Sequence, residues 1–191
     1  LLYKGRGMYH LNSCEVIESF YSLRSDIVKL TYTAHILEIV NDIVQEDQPS
    51  SKILKLFLNT LYFLTREDKQ PEFITRVFEL RLLTIAGYAP SVNGCIICGS
   101  RDVRNMFFSF RECGFICRCG DCISNDPHAM DILPGTAMAL NHIVNSDMKD
   151  LFSFEVSSEV LSELGRISSR YLRERLEKDY NKLEFLKDIR L

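Results

Sequence analysis

Two Cys-x-x-Cys pairs, Cys95-Ile96-Ile97-Cys98 and Cys119-Gly120-Asp121-Cys122, stand with twenty residues between them in a chain that otherwise reads as helix. Each such turn aims two sulfurs at one point, and a connection of this length closes the second pair onto the first, as tetrahedral Zn²⁺ requires. Four thiolates leave no open position for water or substrate. The ion expected here is therefore structural, and its binding becomes folding free energy. Cys113 and Cys117 crowd the second pair and keep the ligand choice open. The tight-knuckle spacing favours Cys119 with Cys122, so the expected set is Cys95, Cys98, Cys119 and Cys122, with Cys117 as the alternative to Cys119 and Cys113 as a bystander. Buried free cysteines seldom cluster so closely. A redox dithiol opens a helix after a strand of a βαβ unit, an alternation absent around Cys119.

A chain of 191 residues, 46% of them hydrophobic, suffices for one core with a small metal module attached. Its net charge of −3 excludes a protein whose whole surface grips nucleic acid, so any such contact must come from a local patch. Seven cysteines, with Cys14 far from the rest, do not form a disulfide framework, which points to a reducing cytoplasm. No apolar run reaches bilayer-spanning length, and Leu1-Leu2-Tyr3-Lys4 lacks the core of a signal peptide. The absence of Met at position 1 suggests a missing N-terminal piece.

The opening residues, with Gly5 and Gly7 beside Lys4 and Arg6, fit short strands. From Ser25-Asp26 a helix is expected to bury Ile27, Leu30, Ala34, Leu37, Val40 and Val44, and to stop at Asp47-Gln48-Pro49. A second, after Ser50-Ser51, turns Leu54, Phe57, Leu58, Leu61 and Leu64 to the core and breaks before Pro71. A third runs from about Glu72 through Phe73, Val77, Leu80, Leu83 and Ile85 to Gly87, with Pro90 beyond. The metal module occupies about 91–126, with Met106-Phe107-Phe108-Ser109-Phe110 as a hairpin strand. A helix opening at Pro134 should bury Met138, Ile143 and Val144. Another, after Ser157-Ser158, should bury Val160, Leu164, Ile167, Tyr171 and Leu172. The expected fold class is mainly α: a helical bundle interrupted by a Cys₄ zinc-binding module, with β structure at its N-terminal edge.

The run Phe78-Glu79-Leu80-Arg81-Leu82-Leu83-Thr84-Ile85-Ala86-Gly87-Tyr88-Ala89-Pro90, followed by Cys95-Ile96-Ile97-Cys98-Gly99, Phe108-Ser109-Phe110 and Gly114-Phe115-Ile116-Cys117, resembles the bacterial RecO family of recombination mediators. Ser19-Phe20…Leu23-Arg24-Ser25-Asp26 is similar to that family's joint between an N-terminal OB-fold and a helical domain. The resemblance implies that residues 1–22 are the last strands of an OB-fold and 23–191 the helical C-terminal domain. Where the family runs Gly-Gly-x-x-Cys-x-x-Cys, this chain has Cys113-Gly114-Phe115-Ile116-Cys117-Arg118-Cys119-Gly120-Asp121-Cys122, a register that favours Cys117 against the spacing that favours Cys119.

The implied role is not enzymatic. It consists of binding single-stranded DNA and single-strand-binding protein, partnering RecR, helping RecA load and annealing strands in the RecF pathway, within the nucleoid of a bacterial cytoplasm. Without most of the OB-fold, strand binding is expected to be weakened. The residues agree with a non-catalytic chain, having no Gly-rich phosphate loop and only four scattered histidines, His10, His35, His128 and His142. These read as surface or satisfied core groups, with His128 the alternative metal ligand among them.

Basic candidates are Lys4 and Arg6 near the N-terminus, Arg101, Arg104, Arg111 and Arg118 in the metal module, and Arg166, Arg170 and Arg173 on one helical face. Glu163, Glu174 and Glu177 interleave the last group, so a solvated face of ion pairs competes with a binding face. The resemblance implies that the helical domain receives the acidic, aromatic-ended tail of single-strand-binding protein, which needs a basic rim around an apolar groove. Two further classes fit the residues: a zinc-stabilised helical adaptor that binds only protein, and a redox-sensing thiol protein.

Overall fold

The computed structural model describes residues 1–45 and 48–186. In chain order these form strands β1 (Leu2–Lys4) and β2 (Tyr9–Leu11), helices α1 (Ile27–Ile43), α2 (Ser51–Thr65) and α3 (Pro71–Ile85), strands β3 (Met106–Ser109) and β4 (Gly114–Cys117), helix α4 (Gly120–Ile123), strand β5 (Met130–Asp131), and helices α5 (Pro134–Asn145) and α6 (Ser158–Leu176). The chain is mainly helical, with small sheets at its N-terminus and beside the cysteines. Among the described residues, no helix is long and apolar enough to cross a membrane.

Helix boundaries follow local chemistry. Asp26 Oδ1 accepts the Val28 and Lys29 amides at 2.8 and 3.2 Å, capping α1. Pro71 opens α3, where its missing N–H costs nothing. At the other end of α3 the Gly87 and Tyr88 amides reach back to Thr84 and Leu83, satisfying carbonyls the helix leaves open. Ser157 caps α6 by accepting the Val160 amide at 3.4 Å.

Helix α3 is the hub, packed against α1, α2, α5 and α6. It buries Phe73, Ile74, Val77, Phe78, Leu80, Leu82 and Leu83. Arg81 on this helix donates to the Ile143, Val144 and Ser146 carbonyls at 3.0, 2.6 and 2.7 Å. A guanidinium there satisfies the open end of α5 and complements its dipole. The antiparallel sheet β4-β3-β5 pairs Met106 with Cys117 and Ser109 with Gly114. Phe108 of β3 meets Tyr171 of α6 edge-on, with ring centroids 5.8 Å apart. The cysteine-bearing module and the helices thus share one hydrophobic core.

Three expected faces differ. On α1, Ile27 and Leu37 are 52% and 48% exposed and Leu30 is also exposed, while Tyr32, His35, Ile36 and Ile39 are buried. The helix is apolar on two sides, and the side that faces inward is the one carrying His35 to a partner on α3. On α2, Leu61 and Leu64 are buried as expected, whereas Leu54 is 54% exposed and Leu58 lies outward, Leu56 and Thr60 taking the inner positions. On α5, Ile143 is buried but Met138 is 62% exposed, because Ala137, Ala139 and Leu140 make the close contact. All five residues expected inside α6 are buried. Helix α1 ends at Ile43, before its stop signal, of which Asp47 lies outside the described residues.

Inside the bundle His35 Nε2 lies 2.6 Å from Glu79 Oε1, and Arg76 donates to both Glu79 oxygens at 3.2 and 3.1 Å. Burial opposes the charge on Glu79, but the Arg76 guanidinium and the His35 contact outweigh it and hold the carboxyl at about 2.

Candidate metal centre and partner cleft

The first knuckle is built by backbone bonds. Gly99 N–H donates to the Cys95 carbonyl at 2.8 Å, and the Cys95 amide donates to Ser100 O at 2.7 Å. Gly99 has φ of 76°, which a side chain would disfavour. The knuckle is tied to β4 by the Ile96 amide on Phe115 O at 2.9 Å. Just upstream, Ser91 bonds to Cys113 and Phe115 at 2.8 and 2.9 Å, so closely that a Cβ on Gly114 would run into the Ser91 carbonyl.

The sulfurs of Cys95, Cys98, Cys117 and Cys122 all lie within 4.8 Å of one another, and those of Cys98 and Cys117 are 3.4 Å apart. A tetrahedral ion with bonds of about 2.3 Å to sulfur separates its ligands by about 3.8 Å. The donor set and its size therefore fit a zinc ion. Cys119, favoured by knuckle spacing, is outside this mutually close set, and Cys117 is inside it. Strand β4 carries Cys117 to the end of its ladder, where its amide donates to Cys95 Sγ at 3.3 Å. The chain then leaves the ladder, and Cys119 caps α4 from an exposed position, its sulfur 3.2 Å from that of Cys117. Cys113 bonds instead to the Phe110 carbonyl at 3.6 Å, and exposed His128 lies outside the set.

Burial works against a Cys95 thiolate, yet amides of Cys98, Ile97 and Cys117 outweigh it and bring the group to about 6. Burial pushes Cys117 up to about 11, with the Cys119 and Cys98 sulfurs adding to it against the Cys119 amide. The Cys119 sulfur and burial raise Cys122 as well. Crowded thiols keep their protons because adjacent negative charges repel, and a dication removes that obstacle.

The basic candidates are mostly neutralised. Arg104 pairs with Asp102 at 2.9 Å, Arg111 with Glu112 at 3.4 Å and Arg118 with Asp131 at 2.9 Å. On α6, Arg166 lies 3.9 Å from Glu163, Arg170 2.7 Å from Glu174 and Arg173 4.0 Å from Asp179. Arg170 also stacks 3.9 Å above the Phe110 ring. Arg101 lines a groove between the module and α5. Lys4 sits over Tyr9 in the β1–β2 hairpin, and Arg6 is exposed in its turn.

A larger cleft, about 850 Å³, opens where the starts of α3 and α6 meet the segment 154–158. Phe73, Phe154, Val156 and Leu161 give it an apolar floor, and Lys69, Arg76 and Arg166 are its cations, with Asp68, Glu72 and Glu155 also on its walls. The Phe73 and Phe154 rings are 5.0 Å apart. Arg76 donates to Ser169 at 3.1 Å as well as to Glu79, and its Nε is buried with no partner among the described residues. Of these cations, sequence reasoning singled out Arg166 alone. Lys69 read as part of a helix break, and Arg76, flanked by Glu72 and Glu79 at helical spacing, reads as an ordinary ion pair.

The profile of a family described as Recombination protein O C terminal matches residues 24–184. The chain is 55% identical over 189 residues to a protein named DNA repair protein RecO from Acetivibrio thermocellus, covering 99% of this chain and 74% of that one. It is 31% identical over 190 residues to the protein of the same name from Alkaliphilus metalliredigens, covering 99% and 76%. A third, from Caldicellulosiruptor saccharolyticus, is 29% identical over 187 residues, covering 98% and 75%.

Proposed function

The chain belongs to the RecO family, and we propose that it acts in DNA repair as a recombination mediator of the RecF pathway, without covalent catalysis. In this reading it binds single-stranded DNA and single-strand-binding protein, works with RecR, and helps load RecA and anneal strands at the bacterial nucleoid. The β1–β2 hairpin belongs to the end of an OB-fold, the helical domain begins at residue 23, with the last five residues of its expected span outside the described ones, and Cys95, Cys98, Cys117 and Cys122 hold one structural zinc.

The observation that carries the reading beyond its family is the cleft between α3 and α6. An acidic peptide ending in an aromatic side chain needs an apolar floor for the ring and cations for the carboxylates. Phe73, Phe154, Val156 and Leu161 supply the first, and Lys69, Arg76 and Arg166 the second. This favours the tail of single-strand-binding protein as its occupant. Arg166, 3.9 Å from Glu163, is less tightly engaged than Arg104 and Arg170, which Asp102 and Glu174 hold at 2.9 and 2.7 Å, whereas Arg76 is held by Glu79 as firmly as they are. The pairing of so many arginines also supports a second reading, a zinc-stabilised adaptor that binds protein but not DNA.

A fluorescent copy of the tail should bind in the micromolar range, on the order of −8 kcal/mol, and more weakly as salt rises. Arg166→Glu should weaken it at least tenfold, whereas Arg104→Glu should not. Equal losses from both changes, or no binding at any salt, would remove the cleft from the proposal.

A further inference from the structure

The metal cluster contains a fifth sulfur that a tetrahedral ion does not use. Cys119 Sγ is 3.2 Å from Cys117 Sγ. It therefore touches one member of the close set while lying outside the set itself. Arg118, Cys119 and Gly120 are all exposed, and nothing lies within 4 Å of where a Cβ on Gly120 would sit. The Cys119–Gly120 corner is thus unpacked on its outer side, while the Arg118 amide stays bonded to the Asn105 carbonyl at 3.0 Å. Cys117 and Cys119 are also the two residues between which local spacing and strand register disagree.

We propose that Cys119 is a reserve ligand, able to take the place of Cys117 on the ion, so that the site has two alternative tetrads sharing Cys95, Cys98 and Cys122. The inference rests on the reading of this cluster as a zinc site. In the exchange one zinc–sulfur bond forms and one breaks: the Cys119 thiol gives its proton to solvent as it binds, and the released Cys117 thiolate takes one up. No electrons are transferred. Such redundancy keeps a structural ion in place when the Cys117 sulfur is alkylated or oxidised.

The test measures zinc content, thiol protection and the spectrum of the cobalt-substituted protein in wild type, Cys117→Ser, Cys119→Ser, Cys98→Ser and the double variant Cys117→Ser/Cys119→Ser. Wild type should hold one zinc, with Cys119 open to N-ethylmaleimide and Cys117 protected. Trypsin cleavage after Arg118 puts the two cysteines on separate peptides. Cys117→Ser should still hold one zinc, show the charge-transfer bands of a four-thiolate cobalt site, and now protect Cys119 until the metal is removed. Cys119→Ser should also stay loaded, while Cys98→Ser and the double variant lose the ion. A Cys117→Ser chain that is metal-free or unfolded while Cys119→Ser is loaded overturns the proposal. So does a loaded Cys117→Ser chain whose Cys119 remains reactive, or retention of zinc by Cys98→Ser. Wild type without zinc would instead overturn the metal reading itself, and the inference with it.

Discussion

Glu79 carries its charge in full burial, and that charge depends on two neighbours from different helices, Arg76 on α3 and His35 on α1. Removing it leaves a largely buried guanidinium with only the more exposed Glu72, 3.8 Å away, as its counter-charge, and breaking a buried pair costs about 3–5 kcal/mol in comparable sites. Glu79→Gln should therefore lower the urea midpoint markedly at neutral pH. The pH dependence has a definite sign. The folded carboxyl stays ionised down to about 2 while the unfolded one protonates near 4.5, so between these values the unfolded chain binds the extra proton. Stability from this group is complete above pH 4.5 and drains away as pH falls toward 2. Wild type should lose more stability across that window than Glu79→Gln, and parallel curves would show that the charge contributes nothing. The cluster was only half legible in the residues. His35 reads as a satisfied core histidine, which it is through Nε2, but nothing in its surroundings on α1 names a glutamate 44 positions away.

Among the elements, the small sheet explains both what the cysteine spacing reveals and what it misses. Helix starts and stops were readable because Asp26, Pro71, Gly87, Pro134 and Ser157 act through their own local backbone. The strand at Met106 and the first knuckle, Cys95 with Cys98, were readable as well. The faces of α1 and α2 were not, since both helices carry apolar residues on two sides and only packing against α3 decides between them. The choice between Cys117 and Cys119 likewise depends on β4, whose pairing with β3 fixes where Cys117 ends up. Because β3 packs Phe108 against Tyr171, the module is part of the helical core and not an appendage. Cys98→Ser should therefore release the metal and lower the melting temperature of the whole domain in one transition, as apparent zinc energies of roughly 10 kcal/mol or more stabilise the fold. Two separate calorimetric transitions would mean that the module and the bundle fold independently.

On the scale of the whole molecule, a net charge of −3 and arginines already matched by carboxylates leave few cations for a nucleic-acid backbone. Lys4 and Arg6, in the β1–β2 hairpin, have no carboxylate partner among the described residues, which makes the hairpin, like Arg101, a remaining candidate for strand contact. Each phosphate neutralised on a single strand contributes about 0.7 to the slope of log affinity against log salt. If both residues contact phosphate, Lys4→Ala with Arg6→Ala should reduce that slope by about 1.4 and weaken binding of an oligothymidine. The same double change should leave the tail peptide's affinity unaltered, because the cleft between α3 and α6 draws its cations from Lys69, Arg76 and Arg166. An unchanged slope would exclude the hairpin as a strand-binding surface. If Arg166→Glu lowered the slope instead, DNA and the acidic peptide would be competing for one cleft, and a single titration with both ligands present would show each displacing the other.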